Sequence, residues 1–145
     1  AAGVQLRLLC NLIDGMVAVE GGRRSKVGAL YNEVPDRIAD SMFLVALGYA
    51  VGLGWLGWLA ALAAAITAYI RVLGGTLGLA QDFRGPQAKP HRMAVMTAGC
   101  LLGVIEWAWR SEAQVLRLAL GVIAVGTIVT CGTRLAAISR QLKAR

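Results

Sequence analysis

Two short runs of oxygen-bearing side chains hold the chemistry open to this chain: Asn11-x-x-Asp14-Gly15-x-x-Ala18, then Asn32-x-x-x-Asp36-x-x-x-Asp40. On a helix, residues three and four apart share a face, so Asn11 stands a turn from Asp14 and Asp36 a turn from Asp40. Two helix ends meeting there would form a pocket of hard oxygen donors, suited to Mg²⁺, Mn²⁺ or Ca²⁺ more than to zinc. Carboxylates at a membrane boundary are costly unless a cation or a partner compensates them. The pattern therefore points to a cation site.

The elements that must hold these residues are membrane helices. Hydrophobic residues make up 57% of the chain and charged residues 16%, and the mean hydropathy is +0.62, outside the range of an ordinary soluble domain. The expected fold is all-α, a polytopic transmembrane bundle forming one domain over residues 1–145 with no soluble module. Ala1 opens directly into an apolar segment containing Arg7, and no leader peptide is expected from that pattern. That segment, Ala1 to about Val19, is too short upstream to span ~30 Å of hydrocarbon, so a helix preceding it is expected to be missing.

Residues 20–35 read as an aqueous loop because of Gly21, Gly22, Arg23, Arg24, Lys26 and Gly28. A second helix is expected from Pro35, a residue suited to a first turn, to about Val51. Gly52, Gly54 and Gly57 mark a tight turn beside the interfacial anchors Trp55 and Trp58. A third span follows to Gly74, with Ala60 to Ala65 permitting close packing. Gln81 to Arg92 reads as a polar loop. Met93 to Trp109 and Val115 to about Ala137 complete the set, ahead of a basic tail.

The basic residues of the first loop share a membrane side with Arg84, Lys89, Arg92, Arg140, Lys143 and Arg145, and the positive-inside rule makes that side cytoplasmic. Asp14, Asp36 and Asp40 then face the cytoplasm. The net charge of +7 fits this topology and anionic lipid or phosphate ligands; it does not fit nucleic acid, because no extended soluble basic surface exists. Cys10, Cys100 and Cys131 form no C-x-x-C pair and read as small buried hydrophobes.

These motifs resemble the CDP-alcohol phosphatidyltransferase family, whose signature is D-x-x-D-G-x-x-A-R, a spacer, then G-x-x-x-D-x-x-x-D across two consecutive membrane helices. Asp14, Gly15, Ala18, Asp36 and Asp40 match it in order. Asn11 stands where the signature has its first Asp, Val19 where it has Arg, and Asn32 where it has the second Gly. The spacer is also longer than usual. The resemblance implies a transferase in which an alcohol attacks the β-phosphorus of a CDP-linked lipid such as CDP-diacylglycerol, releasing CMP. It implies Mg²⁺ or Mn²⁺ on Asp14, Asp36 and Asp40, with Asn11 as a neutral oxygen ligand. Asp40 would double as the general base, and Asn11, Asp14, Gly15 and Ala18 would receive the donor nucleotide. Homodimers are common in that family.

Arg71, Arg84, Lys89 and Arg92, with His91 beside them, fit an acceptor whose alcohol carries a phosphate. Alternatively they enforce topology and bind anionic headgroups, with His91 an ordinary loop residue. Arg7 is expected to pair with an acidic residue, Glu106 with Arg110 or Arg117, and Glu20 and Glu33 to be solvated. Two other functions remain open: a lipid-binding or assembly subunit without catalysis, and a small cation transporter, against which the clustering of acids at one membrane face argues.

Overall fold

The computed structural model describes residues 28–80 and 85–144, together with Gly3, Leu6 and Leu9, which are helical. Among the described residues the chain folds entirely as helix, in four elements: α1 (Gly28–Ala50), α2 (Gly54–Thr76), α3 (Lys89–Arg110) and α4 (Gln114–Lys143). They run up and down in order. Each has 22 to 30 residues, and even the shortest reaches ~33 Å at 1.5 Å per residue, enough for a bilayer core.

The α1–α2 corner shows how the sequence sets this geometry. Gly52 takes φ +73°, and the N–H groups of Gly52 and Leu53 donate to the carbonyls of Tyr49 and Gly48. That pair of bonds closes α1 in a Schellman turn, which needs a left-handed residue where glycine stands. Gly78 and Leu79 close α2 in the same way on Gly75 and Gly74. Just after the corner, Gly57 packs against Gly48 so closely that a Cβ on Gly48 would lie 2.7 Å from the Gly57 Cα. Gly57 thus belongs to α2 and not to the turn. The core continues through Leu44, Leu47, Ala60, Ala61, Ala64, Met93, Met96, Leu120 and Ile123, and the alanines of α2 allow the close helix approach expected of them.

The outside of the bundle is as apolar as the inside. Leu62, Ile66, Tyr69 and Val72 on α2, Leu101, Leu102, Val104 and Ile105 on α3, and Val122, Val125, Ile128 and Val129 on α4 all face outward. Water would penalise that surface and lipid does not. α2 and α4 are long and apolar enough to cross a membrane. The chain is a helical membrane bundle.

Three boundaries differ from the expected ones. α1 begins at Gly28, which places Pro35 inside it and leaves the carbonyl four residues earlier without its helical donor. The turn before Pro35 is fixed tertiarily: Arg71 of α2 holds the Glu33 carboxylate at 2.5 Å, and Arg37 approaches it at 3.4 Å. Glu33 is therefore paired, not merely solvated. α3 begins at Lys89, with Pro90 in its first turn, so Lys89 to Arg92 are helical and not loop. α4 runs to Lys143, past the expected end near Ala137, and buries Ile138 beyond it.

At the end carrying Trp55, Trp58, Trp107 and Trp109, charged side chains tie the helices by way of backbone groups. Glu106 accepts from the Val115 N–H at 2.9 Å, capping α4, and Arg117 Nε donates to the Val51 carbonyl at 3.1 Å. Glu106 thus has a structural role, though through the backbone and not through Arg110 or Arg117. Cys100 and Cys131 are half-buried, and Cys131 Sγ lies 3.5 Å from the Ala63 carbonyl.

Candidate functional site

Opposite the tryptophans, the first half of α1 presents Glu33, Asp36, Arg37 and Asp40 at helical spacing. Asp36 is 7% exposed and Asp40 only 1%. A buried carboxylate must be compensated, and here the compensation comes from basic residues on other turns and other helices. Lys89 Nζ pairs with Asp36 Oδ2. Arg92 Nη2 stands 3.7 Å from Asp40 Oδ2, with both side chains buried, and Arg37 Nη1 stands 3.9 Å from the same oxygen.

Behind these pairs lies a cavity of about 390 Å³. Arg37, Arg71, Lys89, Arg92 and Arg134 line it, with His91, Thr67 and Ala68. These five cations face three carboxylates, Glu33, Asp36 and Asp40, among the described residues. The excess of positive charge at a half-buried site favours an anion, and guanidinium groups supply the forked donors that phosphate accepts.

Glycines and threonines on α4 position the cations of α3. Arg92 Nη1 donates to the Gln87 carbonyl at 2.9 Å, and the Gln87 N–H donates to Thr130 Oγ1 at 3.0 Å. Gly126 leaves room for the Gln87 side chain, and Gly85, at φ +134°, seats the segment on Thr130, where a Cβ would come within 2.3 Å of Cγ2. Gly85→Ala would meet both that overlap and a strained backbone. It should destabilise the fold by about 1–3 kcal/mol and weaken phosphate binding, as a thermal melt and a phosphate titration would record. An unchanged melt would show the segment to be pliable.

The structure thus brings Arg71, Lys89 and Arg92 together as expected, and places Asp36 and Asp40 beside them. Asn11, Asp14, Gly15, Ala18 and Arg84 lie outside the described residues, as do Arg7, Cys10 and Glu20. Asp36 and Asp40 share one α1 face and offer hard oxygen. That donor set fits Mg²⁺ or Mn²⁺, since Mg²⁺ takes one or two carboxylates and completes its shell with water and substrate phosphates. Among the described residues, no three His, Cys, Asp or Glu side chains gather at one point.

Two site residues escaped the sequence reading. Arg134, 6% exposed, donates to the Thr67 carbonyl at 3.0 Å. Its signal was present: it is the one charged residue between Leu118 and Ser139, and an ionisable group within an apolar span is a functional candidate. Arg37, between Asp36 and Asp40 on the same helix, was visible at i+4 from Glu33 and i−3 from Asp40.

Comparison with known proteins gives a consistent picture. The chain is 28% identical over 135 residues to the phosphatidylinositol phosphate synthase of Mycobacterium marinum, covering 88% of this chain and 56% of that protein. It is 26% identical over 146 residues to the phosphatidylinositol phosphate synthase of Streptomyces avermitilis, covering 95% and 60%. Over 95 residues it is 34% identical to the archaetidylinositol phosphate synthase of Aeropyrum pernix, covering 66% and 49%. The chain therefore spans roughly half to three-fifths of the length of these curated relatives. No family model matches it, and no solved structure does.

Proposed function

We propose that this bundle carries the active site of a CDP-alcohol phosphatidyltransferase whose acceptor alcohol bears a phosphate. The observation that carries the reading is the adjacency of a buried carboxylate face, Asp36 and Asp40, to a cavity lined by five cations at one end of a lipid-facing bundle. The similarity to synthases of inositol phosphate lipids supports the same reaction class. A phosphorylated polyol is the acceptor chemistry that fits, because its phosphate offsets the excess of cations over carboxylates around the cavity, which a neutral alcohol does not.

The reaction joins the acceptor hydroxyl oxygen to the phosphorus bearing the lipid and breaks the bond from that phosphorus to CMP. Arg71, Lys89, Arg92 and Arg134 hold the acceptor phosphate, and Arg37 sets the position of Asp40. Asp40 takes the hydroxyl proton as the new bond forms. Asn11, Asp14, Gly15 and Ala18 receive the donor nucleotide, following the signature they match. Asp36 and Asp40 would hold Mg²⁺ or Mn²⁺, joined by Asp14 and Asn11; such an ion supplies positive charge to the pyrophosphate and the departing CMP. The donor's acyl chains stay against the apolar helix faces, and the positive-inside rule places the site at the cytoplasmic surface.

The test is CMP release from CDP-diacylglycerol in membranes against phosphorylated and unphosphorylated polyols. Release should require the phosphorylated acceptor and stop when divalent cations are chelated. Equal rates with an unphosphorylated alcohol would remove the acceptor assignment, and undiminished release after chelation would remove the cation. Absence of release with every acceptor, alongside retained CDP-lipid binding, would make the chain a lipid-binding subunit.

A further inference from the structure

Three cationic residues serve both the carboxylates and the cavity. Lys89 pairs with Asp36, Arg92 and Arg37 both approach Asp40, and all three also line the cavity. Asp36 and Asp40, both expected to hold a cation, therefore already have internal counter-cations, borrowed from the walls of the anion site. The two sites are built from one set of charges.

We propose that Lys89 is an exchange residue that makes divalent-cation binding and phosphate binding mutually dependent. A divalent ion entering at Asp36 must displace the Lys89 ammonium. With the cavity empty, that ammonium is left beside Arg37 and Arg92, an unfavourable gathering of like charge. A phosphate in the cavity accepts it. Conversely, a phosphate that draws Lys89 away leaves Asp36 in need of a cation, which the divalent ion supplies. Linkage requires the two effects to be equal in size.

Side-chain mobility singles out Lys89. Arg92 is 1% exposed and anchored to the Gln87 carbonyl at 2.9 Å, so it cannot move between partners. Lys89, 26% exposed, carries a point charge on a flexible four-carbon stem that can swing from carboxylate to phosphate without moving α3. The coupling rests on Asp36 and Asp40 being cation ligands, and it goes beyond that reading by predicting an order of events: the cation is held weakly until the acceptor phosphate arrives.

The experiment is a Mn²⁺ titration of the full protein in detergent, followed by the paramagnetic resonance of free Mn²⁺, with and without saturating inorganic phosphate and against a protein-free reference. Phosphate should tighten Mn²⁺ binding roughly tenfold, within the range of measured allosteric couplings, and Mn²⁺ should tighten phosphate by the same factor. Lys89→Met should bind Mn²⁺ more tightly than wild type when phosphate is absent and should lose most of the coupling. Lys89→Arg, which keeps the charge, should retain it and serves as the control for folding. Independent binding of the two probes, or coupling that survives Lys89→Met, overturns the exchange role while leaving both sites standing. Failure to bind Mn²⁺ under any condition overturns the exchange role together with the cation assignment.

Discussion

Asp40→Asn is expected to lower CMP release by roughly two to four orders of magnitude, the usual contribution of a positioned proton acceptor. A second effect accompanies the loss of chemistry and must be separated from it. Arg92 is buried against Asp40, and removing one partner of a buried pair costs about 3–5 kcal/mol by leaving the other charge uncompensated. The single variant should therefore melt at a lower temperature as well as turn over more slowly. Adding Arg92→Gln removes the stranded charge, so the double variant should recover much of the melting temperature and none of the turnover. A double variant that regains both would make Asp40 a counter-ion and nothing more.

Arg134→Gln is expected to raise the acceptor KM roughly ten- to a hundredfold, corresponding to about 1.5–3 kcal/mol for a lost charge-assisted contact, with the CDP-lipid KM unchanged. Arg134 lines the cavity with Arg37, Arg71, Lys89 and Arg92, and it donates to the Thr67 carbonyl at 3.0 Å. A structural role would instead lower stability and affect both substrates alike. Measuring the two KM values side by side decides between them. Arg134→Lys, which keeps charge but loses the fork, should fall in between.

The residues that announced themselves in the sequence did so by local spacing. Asp36 and Asp40 a turn apart, and Arg71, Lys89 and Arg92 on the expected cytoplasmic side, needed only helical periodicity and charge asymmetry. Pro35 reads as a helix start because a proline in the first turn and one in the interior look alike locally. The contact that decides between them, Glu33 with Arg71, spans 38 residues. Likewise, two prolines and several charges made Lys89 to Arg92 read as loop, whereas Pro90 simply occupies a first turn where its missing N–H costs little. The spacing assigns the acids to a cation and the bases to an acceptor phosphate, without relating the two. Their interpenetration, Lys89 with Asp36 and Arg92 with Asp40, depends on how α1 and α3 meet, and periodicity within one helix carries no such register.

The two ends of the bundle are fastened by different means. At the tryptophan end, Glu106 and Arg117 bind backbone groups, and Gly48 lies directly against Gly57. Hydrogen bonds and backbone packing of this kind respond little to ionic strength. At the opposite end α1 is tied to α2 and α3 by charge against charge, partly open to water, where dissolved ions screen it. The molecule is thus hinged like tweezers, closed firmly at one end and held at the working end by a force that the surrounding electrolyte weakens. Raised salt should loosen the helix ends around the cavity while the far corner stays shut, giving a gradient of amide exchange along α1 and α2 that steepens with ionic strength.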